Sequence, residues 1–190
     1  MNDRYQKGDV NSGDNKNLEA LIGEAREGNT DAFRAIFNEY IDRLYGYAIS
    51  RTANKQEALD VVQETFVDLW RALEKFEYRS DEAFGGFVFK ILKRKIARTH
   101  RMRRSDISLD ALDFEEGYEV EIEDYRFVMD GVDSLSPMYR EVIRLRYWSG
   151  LTFGEIAGIL DINEGTAKIR HHRAIKKLKD KLDKDEGFRE

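Results

Sequence analysis

Only one proline, Pro137, stands among the 190 residues, so almost nowhere is a helical hydrogen bond forbidden and the chain is free to run in long helices. The apolar residues use that freedom. Phe33, Ile36, Phe37, Tyr40, Leu44 and Ala48 recur at steps of three and four behind Asn29 and Thr30, which suit a helix start. Leu59, Val62, Phe66, Leu69, Trp70 and Leu73 make the buried stripe of a second helix, whose other side carries Asp60, Gln63, Glu64, Val67, Asp68 and Arg71. Phe84, Phe87, Val88, Ile91 and Leu92 open a third series after a polar break around Arg79 to Asp81. Three helices of this length can enclose one core, and the fold class expected is all-α.

The net charge of −5 speaks against a nucleic-acid partner only until the chain is divided. Residues 1–27 carry −2, residues 28–104 carry +4, residues 105–133 carry −10 and residues 134–190 carry +3. Two basic units therefore flank an acidic spacer, and DNA responds to the local field of a patch. The polar stretch 1–16 reads as a disordered tail, 17–104 as a first helical domain, 105–133 as an acidic linker, 134–184 as a second helical domain and 185–190 as a tail. Asp9, Asn11 and Asp14 of the first tail, with Glu19, approach a calcium loop but fail it, because Gly13 stands where a ligand belongs and Asp14 where the turn glycine belongs. No metal or cofactor is expected. The chain has no cysteine, no signal-peptide core and no apolar run of membrane length, which points to a cytoplasmic protein that inserts in no membrane.

The clearest start signals lie near the C-terminus. Ser136 and Pro137 suit the cap and first residue of a helix running through Val142, Ile143 and Leu145 to an end at Gly150. Thr152-Phe153-Gly154-Glu155 fits a capping box for a short helix with Ile156, Ala157 and Leu160 on its buried side. Asp161, Ile162 and Asn163 form a brief turn, and Asn163 can cap a helix from Glu164 through Leu178 or beyond. Two helices joined so tightly, the second rich in bases, match a helix-turn-helix whose second helix enters the major groove. Ala167, His171, Ala174 and Leu178 fall inward, leaving Thr166, Lys168, Ile169, Arg170, His172 and Arg173 outward, with Lys176, Lys177, Lys179 and Lys181 continuing the charge. Arginine can read guanine edges, threonine can touch a thymine methyl, and lysine suits phosphate.

A second basic run, Lys90, Lys93, Arg94, Lys95, Arg98, Arg101, Arg103 and Arg104, has no acid within it. Phe76, Tyr78, Arg79, Phe84, Phe87 and Phe89 stand just before it, and aromatics beside a basic groove are what unstacked bases require. Taken singly, each phenylalanine reads more readily as core. Tyr78 and Arg79 differ, because they sit in the polar break where a loop can receive a flipped base.

Together these residues resemble the bacterial sigma factors of the extracytoplasmic-function type over nearly the whole chain. GNTDAFRAIFNEY is similar to the start of that family's second domain, ALDVVQETFVDLW to its polymerase-binding helix, and the stretch from LSPMYREVIRLRYWSG to HHRAIKKLKDKL to its fourth domain. The resemblance implies that Asp60, Gln63, Glu64 and Val67 dock on core RNA polymerase. It implies that Tyr78, Arg79, Ser80, Phe87, Lys90, Arg94 and Arg98 open and read the promoter element called minus ten. Glu164, Thr166, Lys168, Arg170, His172, Arg173 and Lys177 would read the minus-thirty-five element as duplex, the spacer would thread toward the RNA exit path, and an anti-sigma protein would hold the factor in check. The sequence departs from the family in carrying Phe87 for a tryptophan, basic residues around Arg94 and Arg98 for an Asn or Asp, and His171 for an aliphatic residue. His171 reads either as a packed histidine or as a pH-sensitive joint.

A rival reading, a free-standing helix-turn-helix regulator, accounts only for the last third of the chain. An enzyme is not expected. His100, His171 and His172 all lie in basic runs, and HExxH, a phosphate-binding glycine loop and a nucleophile elbow are missing from the sequence.

Overall fold

The computed structural model describes residues 17–106 and 123–186. These form eight helices and no strand: α1 (Leu18–Arg26), α2 (Thr30–Ile49), α3 (Lys55–Leu73), α4 (Asp81–Asp106), α5 (Glu123–Asp133), α6 (Pro137–Tyr147), α7 (Phe153–Leu160) and α8 (Glu164–Glu186). The all-α expectation holds. The calcium-like Asp9, Asn11 and Asp14, residues 107–122 of the acidic spacer and residues 187–190 lie outside the described residues.

Asparagine side chains start four of the helices. Asn17 Oδ1 accepts from the Glu19 amide, Asn29 Oδ1 from Asp31 and Ala32, Asn54 Oδ1 from Glu57 at 2.8 Å, and Asn163 Oδ1 from Thr166 at 2.7 Å. Each satisfies an amide that the first helical turn leaves unpaired. Ser136 is the exception to expectation. Its hydroxyl caps nothing, and Pro137 at the first helical position begins α6.

Two expectations from periodicity change. Leu59 and Trp70 are 42% and 37% exposed, because they sit about 80° to 100° around α3 from the face formed by Ala58, Val62, Thr65, Phe66 and Leu69. The spacer is shorter than 105–133: α4 continues to Asp106, and Glu123–Asp133 is helical. At the end of α5, Val132 is buried with Leu135, Ile143 and Ala174 in a small second core. Helix α1 adds Leu18, Ile22 and Ala25 to the main core, so four helices rather than three build the N-terminal unit.

The main core does not stop at that unit. Val142, Leu145, Leu151, Ile156 and Ala167 from the C-terminal unit belong to it. The two basic units are packed together, with α4 against α7. The backbones meet there in ordinary contact: a Cβ on Gly86 would stand 3.4 Å from the Gly158 carbonyl oxygen, and one on Gly158 3.5 Å from that of Glu82.

Candidate functional site

The C-terminal pair α7–α8 has the geometry its start signals foretell. Thr152 Oγ1 accepts from the Glu155 amide at 3.3 Å while Glu155 Oε2 accepts from the Thr152 amide at 2.7 Å. Asp161 ends α7 in the left-handed region at φ 54°, ψ 50°, which turns the chain sharply enough for Asn163 to cap α8. On α8, Ala167 and Ala174 are buried and Leu178 half-buried, as the inward stripe requires. Glu164, Lys168, His172, Arg173 and Lys177 are exposed, whereas Thr166 and Arg170 are half-buried. Lys168 is tied to Glu164 at 2.7 Å, whereas Arg170, Arg173, Lys176, Lys177 and Lys179 pair with no acid among the described residues.

His171 is held by packing. It lies between the rings of Tyr147 and Phe153, with centroids 5.7 and 5.2 Å away and Nε2 3.1 Å from the Tyr147 hydroxyl. Burial, with Arg146 and His172 nearby, pushes its pKa below the ordinary value of 6.5. At neutral pH it is uncharged and serves as part of the joint between α6, α7 and α8.

On α4, the basic run divides by face. Lys93 pairs with Glu141 at 2.7 Å, Lys95 with Asp68 at 2.6 Å and Glu64 at 3.2 Å, and Arg103 with Glu57. Lys90, Arg94 and Arg98 form an exposed row at i, i+4 and i+8 that pairs with no acid among the described residues. Phe87 lies on the same side and stacks on Phe76 at 4.7 Å. Phe84 and Phe89 are fully buried and belong to the core.

The segment before α4 is ordered by its own polar groups. Ser80 Oγ accepts from the Ala83 amide and so caps α4. The Tyr78 hydroxyl donates to Asp81 Oδ1 at 2.6 Å, a bond that holds the phenol up at about 12, while its ring rests against the core. Arg79 is exposed, 4.0 Å from Glu77. Phe87 thus shares the face of the cationic row, and Tyr78, Arg79 and Ser80 stand just before the N-terminal end of the same helix.

On α3, Asp60, Gln63, Glu64 and Val67 are exposed together, and with Asp68, Arg71 and Lys95 they line a shallow depression. Val67 is 49% exposed and Trp70 lies beside it, which gives an acidic ridge with an apolar margin. Glu64 has two tasks here, since it also anchors Lys95 of α4.

Sequence reasoning missed the polar contacts between the two units. The Tyr47 hydroxyl donates to Glu141 Oε1 at 2.7 Å, the oxygen that also receives Lys93, and Arg43 pairs with Glu155, the carboxylate of the capping box. Burial would raise both carboxyls, but Lys93 and Tyr47 at Glu141, and Arg43 with Thr152 at Glu155, outweigh it and hold both below 4.5. Partners 94 and 112 positions apart leave no local pattern to find.

Two family models match this architecture in order: Sigma-70 region 2 over residues 36–105 and Sigma-70, region 4 over residues 131–180, between them well over half of the chain. The chain belongs to the sigma-70 family, in its extracytoplasmic-function group. Among its relatives, the ECF RNA polymerase sigma factor BldN of Streptomyces coelicolor is 29% identical over 174 residues, covering 87% of this chain and 66% of that one, just under two thirds of its length. The ECF RNA polymerase sigma-E factor of Haemophilus influenzae is 26% identical over 181 residues, covering 86% and 94%. The structure of CnrH in complex with the cytosolic domain of CnrY matches with a TM-score of 0.66 and 28% identity over 87% of this chain and 97% of that one. Sigma factors are initiation factors rather than enzymes. In this sigma factor the region 2 match takes in α3, α4 and most of α2, and the region 4 match takes in α6, α7 and most of α8. Among the described residues, no helix is long and apolar enough to cross a membrane.

Proposed function

We propose that this sigma factor acts in the cytoplasm by docking the outer face of α3 on core RNA polymerase and reading a promoter with two separate surfaces. Asp60, Gln63, Glu64 and Val67 form the docking ridge. Tyr78, Arg79, Ser80, Phe87, Lys90, Arg94 and Arg98 receive the minus-ten element as it opens, with aromatic faces for bases and cations for phosphate. Helix α8 reads the minus-thirty-five element as duplex, Arg173 being the best-placed base reader, with Glu164, Thr166, Lys168, Arg170, His172 and Lys177 around it. The domains carrying these tasks are 17–104 and 134–184. A regulatory protein of the anti-sigma class is a further partner, and the CnrH structure with a bound CnrY domain supports that expectation.

The observation that carries this reading is the exposed row Lys90, Arg94 and Arg98, which meets no acid among the described residues, beside Phe87 on one unit, together with a capped helix-turn-helix on the other. Promoter elements whose names place them about 25 base pairs apart lie roughly 85 Å apart along B-DNA at 3.4 Å per pair. With α4 touching α7, the free chain cannot span that distance, so the two units must separate on the promoter. Polymerase that spaces them then makes promoter binding effectively bivalent. Transcription in vitro with bacterial core polymerase on genomic templates, followed by mapping of start sites, tests the function. Discrete starts absent from core polymerase alone are the expected result. Tight, specific duplex binding by the chain alone, with no association with core polymerase, would favour the free-standing regulator instead.

A further inference from the structure

The outer face of α8 contains one residue that the cationic reading leaves unexplained. Ile169 is 54% exposed, although isoleucine is among the side chains most often buried. A single exposed aliphatic needs no explanation on an ordinary surface; its position here does. At about 100° per residue, Ala167 and Ala174 define the inward direction, and Ile169 points almost directly away from it. Its neighbours on that face are Gly165 one turn earlier and His172, Arg173 and Lys176 after it, all exposed. The other exposed isoleucine of α8, Ile175, turns instead toward Val128, Tyr147 and Leu178 in a separate apolar groove. Ile169 thus stands alone as an apolar centre in a cationic surface.

From this arrangement we infer that Ile169 is a specificity-determining residue that reads the 5-methyl group of a thymine in the major groove. The inference rests on the proposed placement of α8 in duplex DNA. The chemistry fits one occupant. The thymine methyl is the apolar feature that the major-groove edge of a base pair presents, and side chains recognise it by apolar contact. Gly165, with no side chain, leaves the first turn of α8 low, so that the groove floor can approach the second turn where Ile169 projects. Arg173, one turn further on, is placed to bond a neighbouring base or phosphate and so fix the register in which the methyl meets Ile169. A β-branched side chain has little rotamer freedom to lose on contact.

The test replaces thymine by deoxyuridine, which removes the methyl and keeps every hydrogen-bonding edge. A duplex promoter whose start site has been mapped is scanned one thymine at a time, and occupancy by the holoenzyme is measured for the wild-type chain, Ile169→Ala and Ile169→Val. One upstream position is expected at which deoxyuridine weakens wild-type binding about fourfold, the size expected for one buried methyl group. At that position Ile169→Ala should bind thymine and deoxyuridine alike, and Ile169→Val should keep part of the discrimination. Because the side chain is exposed, neither variant should lose its helical thermal transition. Identical deoxyuridine profiles for all three proteins would overturn the inference while leaving promoter recognition intact. So would a variant whose defect lies in polymerase association with promoter readout unchanged. Failure of the wild-type holoenzyme to bind any promoter would overturn the proposed function as well.

Discussion

Gly46 of α2 lies directly against the backbone carbonyl of Trp148: a Cβ at residue 46 would stand 2.9 Å from the Trp148 carbonyl carbon and closer still to its oxygen. The contact joins the N-terminal unit to the helix-turn-helix unit. Within a helix, Gly to Ala ordinarily adds about 1 kcal/mol of stability. Here the methyl group meets backbone, which cannot swing aside. Gly46→Ala is expected to lower the melting temperature and to increase the radius of gyration measured by small-angle scattering. A raised melting temperature with unchanged dimensions would contradict the packing described.

Acid should act on the same joint. The folded pKa values of Glu141 and Glu155 lie below 4.5, so both groups bind protons more readily when their partners Lys93, Tyr47 and Arg43 are lost. Their contribution is present above about pH 4.5 and disappears as the pH falls through the depressed values. Scattering dimensions should stay constant from pH 7 to 5.5 and expand below about 4.5. Glu141→Gln should flatten that dependence.

Truncating Val67 removes an apolar side chain that is already half in solvent, so Val67→Ala should leave the thermal transition within about 0.5 kcal/mol. Its affinity for core polymerase should fall several-fold in a pull-down or fluorescence titration. Asp60→Lys should fall further, because it reverses a charge on the ridge. Unchanged association for both would remove α3 from the polymerase interface.

Helix α6 carries the buried Arg144, whose guanidinium pairs with Asp133 at the end of α5. Asp133 is half-exposed, so water moderates the loss, and Asp133→Ala should cost about 1–3 kcal/mol of unfolding free energy in denaturant titration. Arg144→Met in the same background should recover part of it by removing the stranded charge.

On the proposed DNA-reading face of α8, Arg173→Ala should cost about 1–3 kcal/mol and relax preference at one upstream base pair, whereas Lys177→Ala should weaken all sequences alike and reduce the salt dependence. Transcription across a promoter-sequence library distinguishes the two patterns.

What the sequence made legible follows from the range of each interaction. The Thr152 and Glu155 capping box, the Asn163 cap and the inward stripe of α8 are decided within four residues, and they stand as read. The exposed ridge from Asp60 to Val67 likewise follows from helical period alone. Leu59 and Trp70 were misplaced because period gives the direction of a face but not its width. Helix α5 was hidden by its acidic surroundings, and its place depends on Val132 meeting Ile143 and Ala174 across the fold. The joint made by Tyr47, Lys93 and Glu141 was out of reach, since it depends on residues from three helices whose meeting no local pattern encodes.

The absence of cysteine allows the central claim, that the units are closed together in the free chain and spread by polymerase on a promoter, to be tested by distance. Cysteines introduced at the exposed positions Asn38 and Asp180 accept a donor and an acceptor dye. Energy transfer should be high in the free protein and should fall sharply, by a separation of tens of ångströms, when core polymerase and a mapped promoter are added together. High transfer that persists in complexes actively initiating from that promoter would contradict it.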